Sequence, residues 1–488
     1  MRYTLEIIVF ISGAAVMIVE IVGSRILAAF LGTSVIVWTS LIGIILASLS
    51  LGYYLGGIIA DGKGANFKSL SYILLLSSFS IFLTAVIYKP ILAQISKMPF
   101  TFWLKTLLST VILFTPSSFF LGVITPYSIK LKLKSIKKSA SAAGNIYALS
   151  TLGSITGTFL TGFILFKHLG ITNILLVNSF LLVLLSIISY NKHIIGKIII
   201  LVLIIQTSLI IKNINKGNHF EYDTDYQTVT IKEQGDISGK NRIRILKTGN
   251  FLQSAINLDK EELVFSYINF FNLINHFTPN INKILVLGGG GYVFPQYYQK
   301  HNPSVRVTVV ELDPGITEIA KNHFFLDKNH HLNIVHQDAR IFLNENTEKF
   351  DSVIIDVFKG SSEIPFQIAT IEAVDKIYKA LNPEGTVIIN FVSAIQDNNG
   401  KIARALYSTY REKFPQVYLF PLNRINYQNI GNVELVALKS SKLASFSSNN
   451  PIYQKFLDNL YSKDIITDVP VLTDDFAPLE HYMMAAVN

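Results

Sequence analysis

Long apolar stretches separated by short polar ones fill the first 215 residues of the chain. A helix needs about 20 apolar residues to cross the hydrocarbon core of a membrane. The pattern therefore predicts seven membrane-spanning helices, at about residues 5–30, 35–60, 70–88, 102–124, 143–166, 169–190 and 195–212. The first stretch lacks a small-residue cleavage site and is too long for a signal peptide, so we expect it to be retained.

Two features of these stretches go beyond hydrophobicity. The segment GSITGTFLTG, residues 153–162, places small residues at helical spacing, which predicts close contact with another helix. Glu20 and Arg25 lie within the first stretch, where ionisable residues are costly and often functional. A structural ion pair, or an Arg25 side chain that reaches the membrane surface, is the alternative, and the sequence leaves both open.

After residue 221 the periodicity changes. Residues 226–258 alternate apolar and polar positions around a Gly-Asn turn, which predicts a small antiparallel β domain with a linking helix at 221–275. Over 276–488, apolar runs alternate with helical stretches, which predicts a doubly wound, Rossmann-like α/β domain. The strands are predicted at 283–287, 305–311, 332–336, 350–356, 386–392 and 433–439, the last of them antiparallel at an edge.

The net charge of +9 is distributed unevenly. Residues 1–220 contain 17 lysines and arginines but only 3 acidic residues, and the rest of the chain has a net charge of −5. The basic residues therefore belong to the membrane half, where they set topology, and no nucleic-acid partner is expected.

The chain has no cysteine, and the spacing of its histidines suggests no metal site, so we expect no metal.

The lysine-rich loops alternate in a way that places the N-terminus in the cytoplasm of a cell-membrane protein. Seven spans would then place the C-terminal domain outside the cell. The cofactor inferred below is cytosolic, however, and for that reason we favour a cytosolic soluble domain.

A cluster of glycines follows the first strand of the α/β domain, in the segment KILVLGGGGYV. Gly288, Gly289 and Gly290 allow the backbone to approach a ligand closely at the start of a helix. Val293 stands at the last glycine position of a dinucleotide-binding GxGxxG pattern. This departure favours an adenosyl-sulfonium compound, which has no pyrophosphate, over NAD.

Acidic residues follow the next three strands in order. Glu311 ends the second strand, where a carboxylate can bind ribose hydroxyls. Asp338 follows the third and is placed to accept a hydrogen bond from an adenine amino group. Asp356 follows the fourth and faces the crevice in which such sheets bind ligands. A solvated strand end, a turn and a helix cap, respectively, are the ordinary alternatives for the three residues.

At these residues the chain resembles the spermidine synthase (polyamine aminopropyltransferase) family, and in particular its membrane-fused bacterial branch. The resemblance covers residues 225–482 and includes YQTVTI, GNFLQSAI, VFSYINF, VELD, QDAR, FDSVIIDVF, LNPEGTVIINF and TDDFAPLE. The first apolar stretch is also similar to the first span of that branch. The family's fold is a small β domain followed by a methyltransferase-type Rossmann-like domain.

The resemblance implies a role for individual residues. Asp356 would be the catalytic aspartate, and Gln227 and Tyr267 would lie near the thioether and the aminopropyl group of the co-substrate. The glycine turn, Glu311 and Asp338 with Ala339 would bind its nucleoside. The co-substrate would be decarboxylated S-adenosylmethionine, with S-adenosylmethionine as the alternative. The reaction would transfer an aminopropyl group to an amine or polyamine.

The chain departs from the family pattern at two positions. Gly291 replaces the aspartate of the family's glycine turn, and Lys359 replaces a second aspartate that attracts a polyamine ammonium group. A lysine beside a dication is repulsive, and this makes putrescine a doubtful acceptor.

Two other functions remain open from sequence. One is an S-adenosylmethionine-dependent methyltransferase that acts on a lipid or a membrane-delivered acceptor. The other is a polyamine or nucleoside transporter or sensor with a non-catalytic Rossmann domain. The expected partners are a small amine and the lipid bilayer, and a homodimer is left open.

Overall fold

The computed structural model describes residues 3–62, 65–133, 139–192, 194–214, 219–235, 242–249, 251–260, 262–326, 332–358, 364–422 and 427–487. The chain forms two compact units, Met1–Thr228 and Val229–Asn488. The finer division predicted at residues 215, 221 and 275 stays a prediction.

The first unit is a bundle of helices followed by one short strand. The helices are α1 (Thr4–Leu31), α2 (Val35–Gly62), α3 (Phe67–Ile95), α4 (Phe102–Lys132), α5 (Ser139–Leu160), α6 (Phe166–His168), α7 (Ile171–Ser189) and α8 (Ile194–Ile214), and the strand is β1 (His219–Asp223). A π-helical turn, Thr161–Leu165, joins α5 to α6. Within the described residues, six helical segments are long and apolar enough to cross a membrane, with Ser139–His168 counted as one. The apolar part of α8, Ile195–Thr207, is shorter, so the seventh predicted span stays a prediction.

Glycines bring α1 and α5 into backbone contact. A Cβ atom added at Gly153 would lie 1.9 Å from the carbonyl oxygen of Phe10, and one at Gly157 would lie 2.5 Å from that of Ala14. On the facing helix, a Cβ atom at Gly13 would lie 2.2 Å from the carbonyl oxygen of Ser150. These distances leave no room for a side chain. The close helix contact predicted from GSITGTFLTG is therefore confirmed.

Arg25 binds the backbone beyond the helices. Its Nη1 donates to the carbonyl oxygen of Thr224 at 3.1 Å, and its Nη2 donates to that of Asp225. Its guanidinium also stacks over the ring of Phe166, 3.5 Å from the centroid. Arg25 thus connects the end of α1 to the segment after β1, which favours the structural interpretation of this residue.

The second unit begins with antiparallel strands β2 (Thr228–Gly235), β3 (Arg242–Thr248) and β4 (Phe251–Asn257). In this unit β3 pairs with both β2 and β4. The turn between β3 and β4 lies between the paired residues Thr248 and Phe251, and Gly249 there has a φ of 57°. The predicted antiparallel strands are confirmed.

A seven-stranded sheet follows, in the order β10-β11-β9-β8-β5-β6-β7. Its strands are β5 (Lys283–Leu287), β6 (Arg306–Glu311), β7 (Asn333–His336), β8 (Phe350–Ile355), β9 (Leu381–Ser393), β10 (Gln416–Pro421) and β11 (Gly431–Leu438). The helices are α9 (Ser266–Phe270), α10 (Ile274–Phe277), α11 (Val293–His301), α12 (Pro314–His323), α13 (Ala339–Glu345), α14 (Ile371–Ala380), α15 (Lys401–Arg411), α16 (Pro451–Leu457) and α17 (Leu479–Val487). Strands β5 to β9 pair in parallel, as predicted.

One strand position differs from the prediction. β11 is antiparallel, as expected, but it lies between β9 and β10 rather than at an edge. The sequence analysis missed β10, a six-residue strand that ends in Pro421. Because proline cannot donate a ladder hydrogen bond, it is typical of an edge strand, and β10 occupies that edge.

We expect Gly153→Ala to destabilise the helical unit by about 1–3 kcal/mol, since the added methyl group forces α1 and α5 apart. The measurement is thermal unfolding of the full chain in detergent. The matched control is Gly144→Ala on the same helix, where a Cβ atom meets nothing within 4 Å. Equal unfolding temperatures for the two variants would contradict the assigned helix contact.

Candidate functional site: the carboxyl edge of the parallel sheet

The site lies where the strand order reverses. The chain proceeds from β5 to β6 in one direction and from β8 to β9 in the other, and ligands bind at such points in α/β sheets. The residues after β5 and β8 touch. The backbone N–H of Asp356 donates to the carbonyl oxygen of Leu287 at 3.0 Å. Gly288 has a φ of 94°, and a Cβ atom there would lie 2.4 Å from the carbonyl oxygen of Asp356, so only glycine fits.

The carboxylate of Glu311 accepts hydrogen bonds from the backbone of the glycine turn. Its Oε2 accepts hydrogen bonds from the backbone N–H groups of Gly289 at 2.8 Å and Gly290 at 3.3 Å. Its Oε1 accepts one from Asp313 at 2.9 Å. Burial raises the pKa of Glu311, although these backbone hydrogen bonds lower it in part. The N–H groups that would bind a phosphate are thus already bound by a carboxylate, which fits a nucleoside without a pyrophosphate.

The remaining glycine of the turn packs against the small β domain. The N–H of Gly291 donates to Ser254 Oγ at 2.9 Å, and a Cβ atom at position 291 would lie 2.9 Å from Ser254 Cβ. The backbone of the next residue, Tyr292, has the left-handed conformation with a φ of 55°. The Tyr292 hydroxyl lies 2.7 Å from Thr317 Oγ1. Close packing therefore explains why position 291 carries glycine in this chain.

Asp338 is the N-cap of α13. Its Oδ1 accepts hydrogen bonds from the backbone N–H groups of Arg340 at 2.8 Å and Ile341 at 3.1 Å, and Ala339 is the first residue of the helix. β7 pairs with β6, so Asp338 follows a strand that ends beside Glu311. The cap accounts for one oxygen of the carboxylate, and the adenine-binding role of Asp338 and Ala339 stays a prediction.

Asp356 is half-buried at the end of β8. Asn390 Nδ2 donates to its Oδ1 at 2.9 Å. Burial raises the pKa of Asp356 to about 6, against the lowering effect of Asn390. Tyr267 is close enough for the charge of Asp356 to raise its pKa, after the larger effect of its own burial. Tyr267, Asp356 and the glycine turn thus lie near one another, and their predicted roles stay predictions.

Three polar residues of this edge escaped the sequence analysis. Asn390 lies on β9, and Asn432 and Glu434 lie on β11, within runs that are otherwise apolar. Asn432 Nδ2 donates to Asn390 Oδ1 at 2.8 Å, so the two amides form a chain that leads to Asp356. The available signal was the spacing of Asn432 and Glu434, two residues apart and therefore on one face of a strand.

Gln227 belongs to the first unit, where its carbonyl oxygen accepts from the backbone N–H of Thr224 at 2.9 Å. Lys359 lies outside the described residues. Their predicted roles stay predictions.

Two of the sequence segments meet at one ion pair. Arg340 of QDAR donates through Nη2 to Asp474 Oδ2 of TDDFAPLE at 2.6 Å. Thr370 Oγ1 donates to the other oxygen of Asp474 at 2.6 Å. The C-terminal segment is thereby held beside α13, next to the Asp338 cap.

A doubly wound sheet with a glycine turn after its first strand, a hydrogen-bonded carboxylate after its second and a half-buried aspartate after its fourth defines a Rossmann-like domain. Residues 267–421 match the family described as "Spermine/spermidine synthase domain". The resemblance predicted from the sequence is confirmed over these residues.

The chain is 27% identical over 232 residues to a probable polyamine aminopropyl transferase of Bifidobacterium longum, covering 43% of this chain and 50% of that protein. It is 25% identical over 200 residues to a polyamine aminopropyltransferase of Vibrio vulnificus, covering 40% and 64%. It is also 27% identical over 175 residues to an N-terminal histidine N-methyltransferase of Emericella nidulans, covering 34% and 29%. The chain thus spans less than two thirds of the length of each of these relatives.

Among solved structures, a probable spermidine synthase from Corynebacterium glutamicum matches 50% of this chain and 88% of its own chain. The sequence identity is 22% and the TM-score is 0.42.

We expect Glu311→Gln to weaken binding of methylthioadenosine by about tenfold or more, because a hydrogen bond to a charged group contributes about 1.5–3 kcal/mol. Calorimetry on the full chain measures the affinity, and thermal unfolding checks the fold. Glu348→Gln is the control, since Glu348 pairs with Lys283 at the opposite end of β5. Unchanged affinity in folded Glu311→Gln would remove the ribose assignment.

Proposed function

We propose that this chain is a membrane-bound, spermidine synthase-like aminopropyltransferase. It transfers the 3-aminopropyl group of decarboxylated S-adenosylmethionine to an amine acceptor. The observation that carries the proposal is the half-buried Asp356, whose pKa is raised to about 6 and whose backbone carbonyl oxygen contacts the glycine turn. The match of residues 267–421 to the spermine/spermidine synthase domain supports it.

The reaction is a displacement at carbon. The lone pair of the acceptor amine attacks the aminopropyl carbon next to sulfur, the carbon–sulfur bond breaks, and the sulfonium becomes the neutral thioether of methylthioadenosine. The amine nitrogen must lose a proton, because alkyl amines with a pKa near 10 are mostly protonated at neutral pH. Asp356 accepts that proton. A base with a pKa near 6 is better matched to this task than an ordinary aspartate.

The remaining residues bind and orient the donor. Glu311, at the end of β6, would bind ribose hydroxyls. Asp338, which follows β7, would accept a hydrogen bond from the adenine amino group. Asn390 donates to Asp356 at 2.9 Å and so fixes the orientation of its carboxylate. A fixed base and a fixed donor raise the rate chiefly through proximity and alignment.

A second candidate is methyl transfer from S-adenosylmethionine, which the match to the Emericella nidulans methyltransferase favours. The same nucleoside site serves both co-substrates, which differ in the carboxyl group of the amino-acid part. Calorimetry with both compounds separates the candidates. Tighter binding of decarboxylated S-adenosylmethionine supports aminopropyl transfer, and tighter binding of S-adenosylmethionine supports methyl transfer.

The first unit would anchor the enzyme in the cell membrane. With six spans, the soluble domain would lie on the same side as the N-terminus, for which the loop lysines favour the cytoplasm. We therefore expect a reporter fused after Asn488 to give a cytoplasmic signal, and the same reporter placed in the loop between α3 and α4 to give an external one. An external signal from the first fusion would mean that α8 crosses the membrane as a seventh span.

The variant Asp356→Asn is expected to lose about 10²–10⁴-fold in turnover while binding of methylthioadenosine is retained, since an amide cannot accept the amine proton. In the wild type, kcat/KM should rise as the pH passes through about 6 and Asp356 ionises. The control is Asp351→Asn, because Asp351 accepts backbone hydrogen bonds at the other end of β8. Normal turnover of Asp356→Asn would contradict the proposal.

The same variant has a predicted effect on stability. Because the pKa of Asp356 in the folded state lies above its usual 3.8, the folded protein holds this proton more tightly than the unfolded chain. Stability therefore falls as the pH rises from about 4 to about 6. Above pH 6, Asp356→Asn avoids this cost and should be more stable by at most about 3 kcal/mol, as thermal or denaturant unfolding would measure.

A further inference from the structure

Glu434 is a fully buried carboxyl group that the mechanism above does not use. It lies in the middle of β11 with 0% of its surface exposed. Neither of its oxygens has a hydrogen-bond partner within the described part of the chain. A buried carboxylate without a partner is strongly unfavourable, so a group of this kind needs either a proton or a ligand.

The strand register places Glu434 on the same face of the sheet as the Asp356 cluster. Glu434 is directly opposite Asn390 of β9, and residues opposite each other on antiparallel strands share a face. Asn390 donates to Asp356, and Asn432, two residues before Glu434, donates to Asn390. Asp356 and Glu434 therefore lie on either side of one buried asparagine.

Helix α9 covers this face. Phe420 of β10 is the other cross-strand neighbour of Glu434, and its ring centroid lies 5.2 Å from that of Phe270 in α9. The same helix carries Tyr267, whose pKa is raised by its burial and then by the charges of both Asp356 and Glu434. Tyr267, Asp356 and Glu434 therefore lie near one another, between the sheet and α9.

The chemistry of this space favours a cation. Each of the two carboxyl groups raises the cost of ionising the other, because like charges in a dry site repel. An ammonium group relieves both costs, since it supplies positive charge and up to three hydrogen-bond donors. A neutral acceptor could donate a hydrogen bond to Glu434 but would supply no positive charge, and an anionic acceptor would add to the repulsion.

We propose that Glu434 binds an ammonium group of a dicationic amine acceptor, while the reacting nitrogen lies at Asp356. This assignment rests on the proposed aminopropyl transfer and extends it to the acceptor. It also changes the expectation at position 359, where lysine replaces the family's second aspartate. The second negative charge comes instead from a residue on β11, so putrescine and related diamines are again candidate acceptors.

The test compares two amines with the same four-carbon chain: putrescine, which carries two ammonium groups, and butylamine, which carries one. The wild type and Glu434→Gln are assayed as full-length protein with saturating decarboxylated S-adenosylmethionine. Loss of a charged partner should raise the KM for putrescine by about tenfold or more and leave kcat nearly unchanged. The kcat/KM for butylamine should stay the same. Glu434→Asp, which retains the charge, should recover part of the preference for putrescine.

Glu348→Gln is the matched control, because it removes a carboxylate from the opposite end of the sheet. It should behave as the wild type with both amines. Equal losses for putrescine and butylamine in Glu434→Gln would assign Glu434 a structural role and overturn the proposal. An unchanged KM for putrescine would overturn it as well.

Direct binding separates this inference from the proposed function. Calorimetry measures putrescine binding to the methylthioadenosine-bound full chain, which requires no turnover. Binding that is lost in Glu434→Gln, in a protein that transfers no aminopropyl group, supports the ammonium site and refutes the transferase. Turnover by a protein whose putrescine affinity does not depend on Glu434 supports the transferase and refutes the ammonium site. A wild type that binds no putrescine overturns the inference.

Discussion

The contact between the ends of β5 and β8 is the constraint on which the site depends. Gly288 donates its N–H to Val310 on one side at 2.9 Å, and the carbonyl oxygen of Asp356 fills the space of its missing side chain on the other. Glu311 then binds the N–H groups of the next two glycines. The turn, the carboxylate and the aspartate are thus held by three neighbouring strands.

Much of this arrangement was accessible from sequence because parallel strands that are buried on both faces are continuous apolar runs. The run at 283–287 predicted β5, and the glycines and acids at strand ends followed directly. Glu434 was not accessible in this way. Its position beside Asn390 depends on the antiparallel register of β11 against β9, and the order of apolar and polar residues along the chain does not determine that register. Because the edge strand β10 was not predicted, the interior position of β11 and the burial of Glu434 could not be predicted either.

Asp338 illustrates a different limit of sequence reasoning. An aspartate after a strand and before a helix is equally suited to cap the helix and to bind a base, because both uses need a hydrogen-bond acceptor at that point. The cap involves Oδ1 with two backbone donors. A carboxylate has further acceptor capacity, so the cap orients the residue and is compatible with base binding. Local geometry and ligand recognition thus need the same residue type.

The carboxyl groups of Asp356 and Glu434 link the stability of the domain to the binding of a ligand. Asp356 and Glu434 both have raised pKa values, chiefly because of burial. Ionisation of either group therefore destabilises the folded domain. A cationic ligand that binds between them lowers both costs, so it should stabilise the domain by more than its contacts with neutral groups would suggest. An apolar pair of the same volume would pack more stably but would have no affinity for an amine. Packing alone would disfavour two such acids at this face of the sheet, and the proposed binding of a cation offsets that cost.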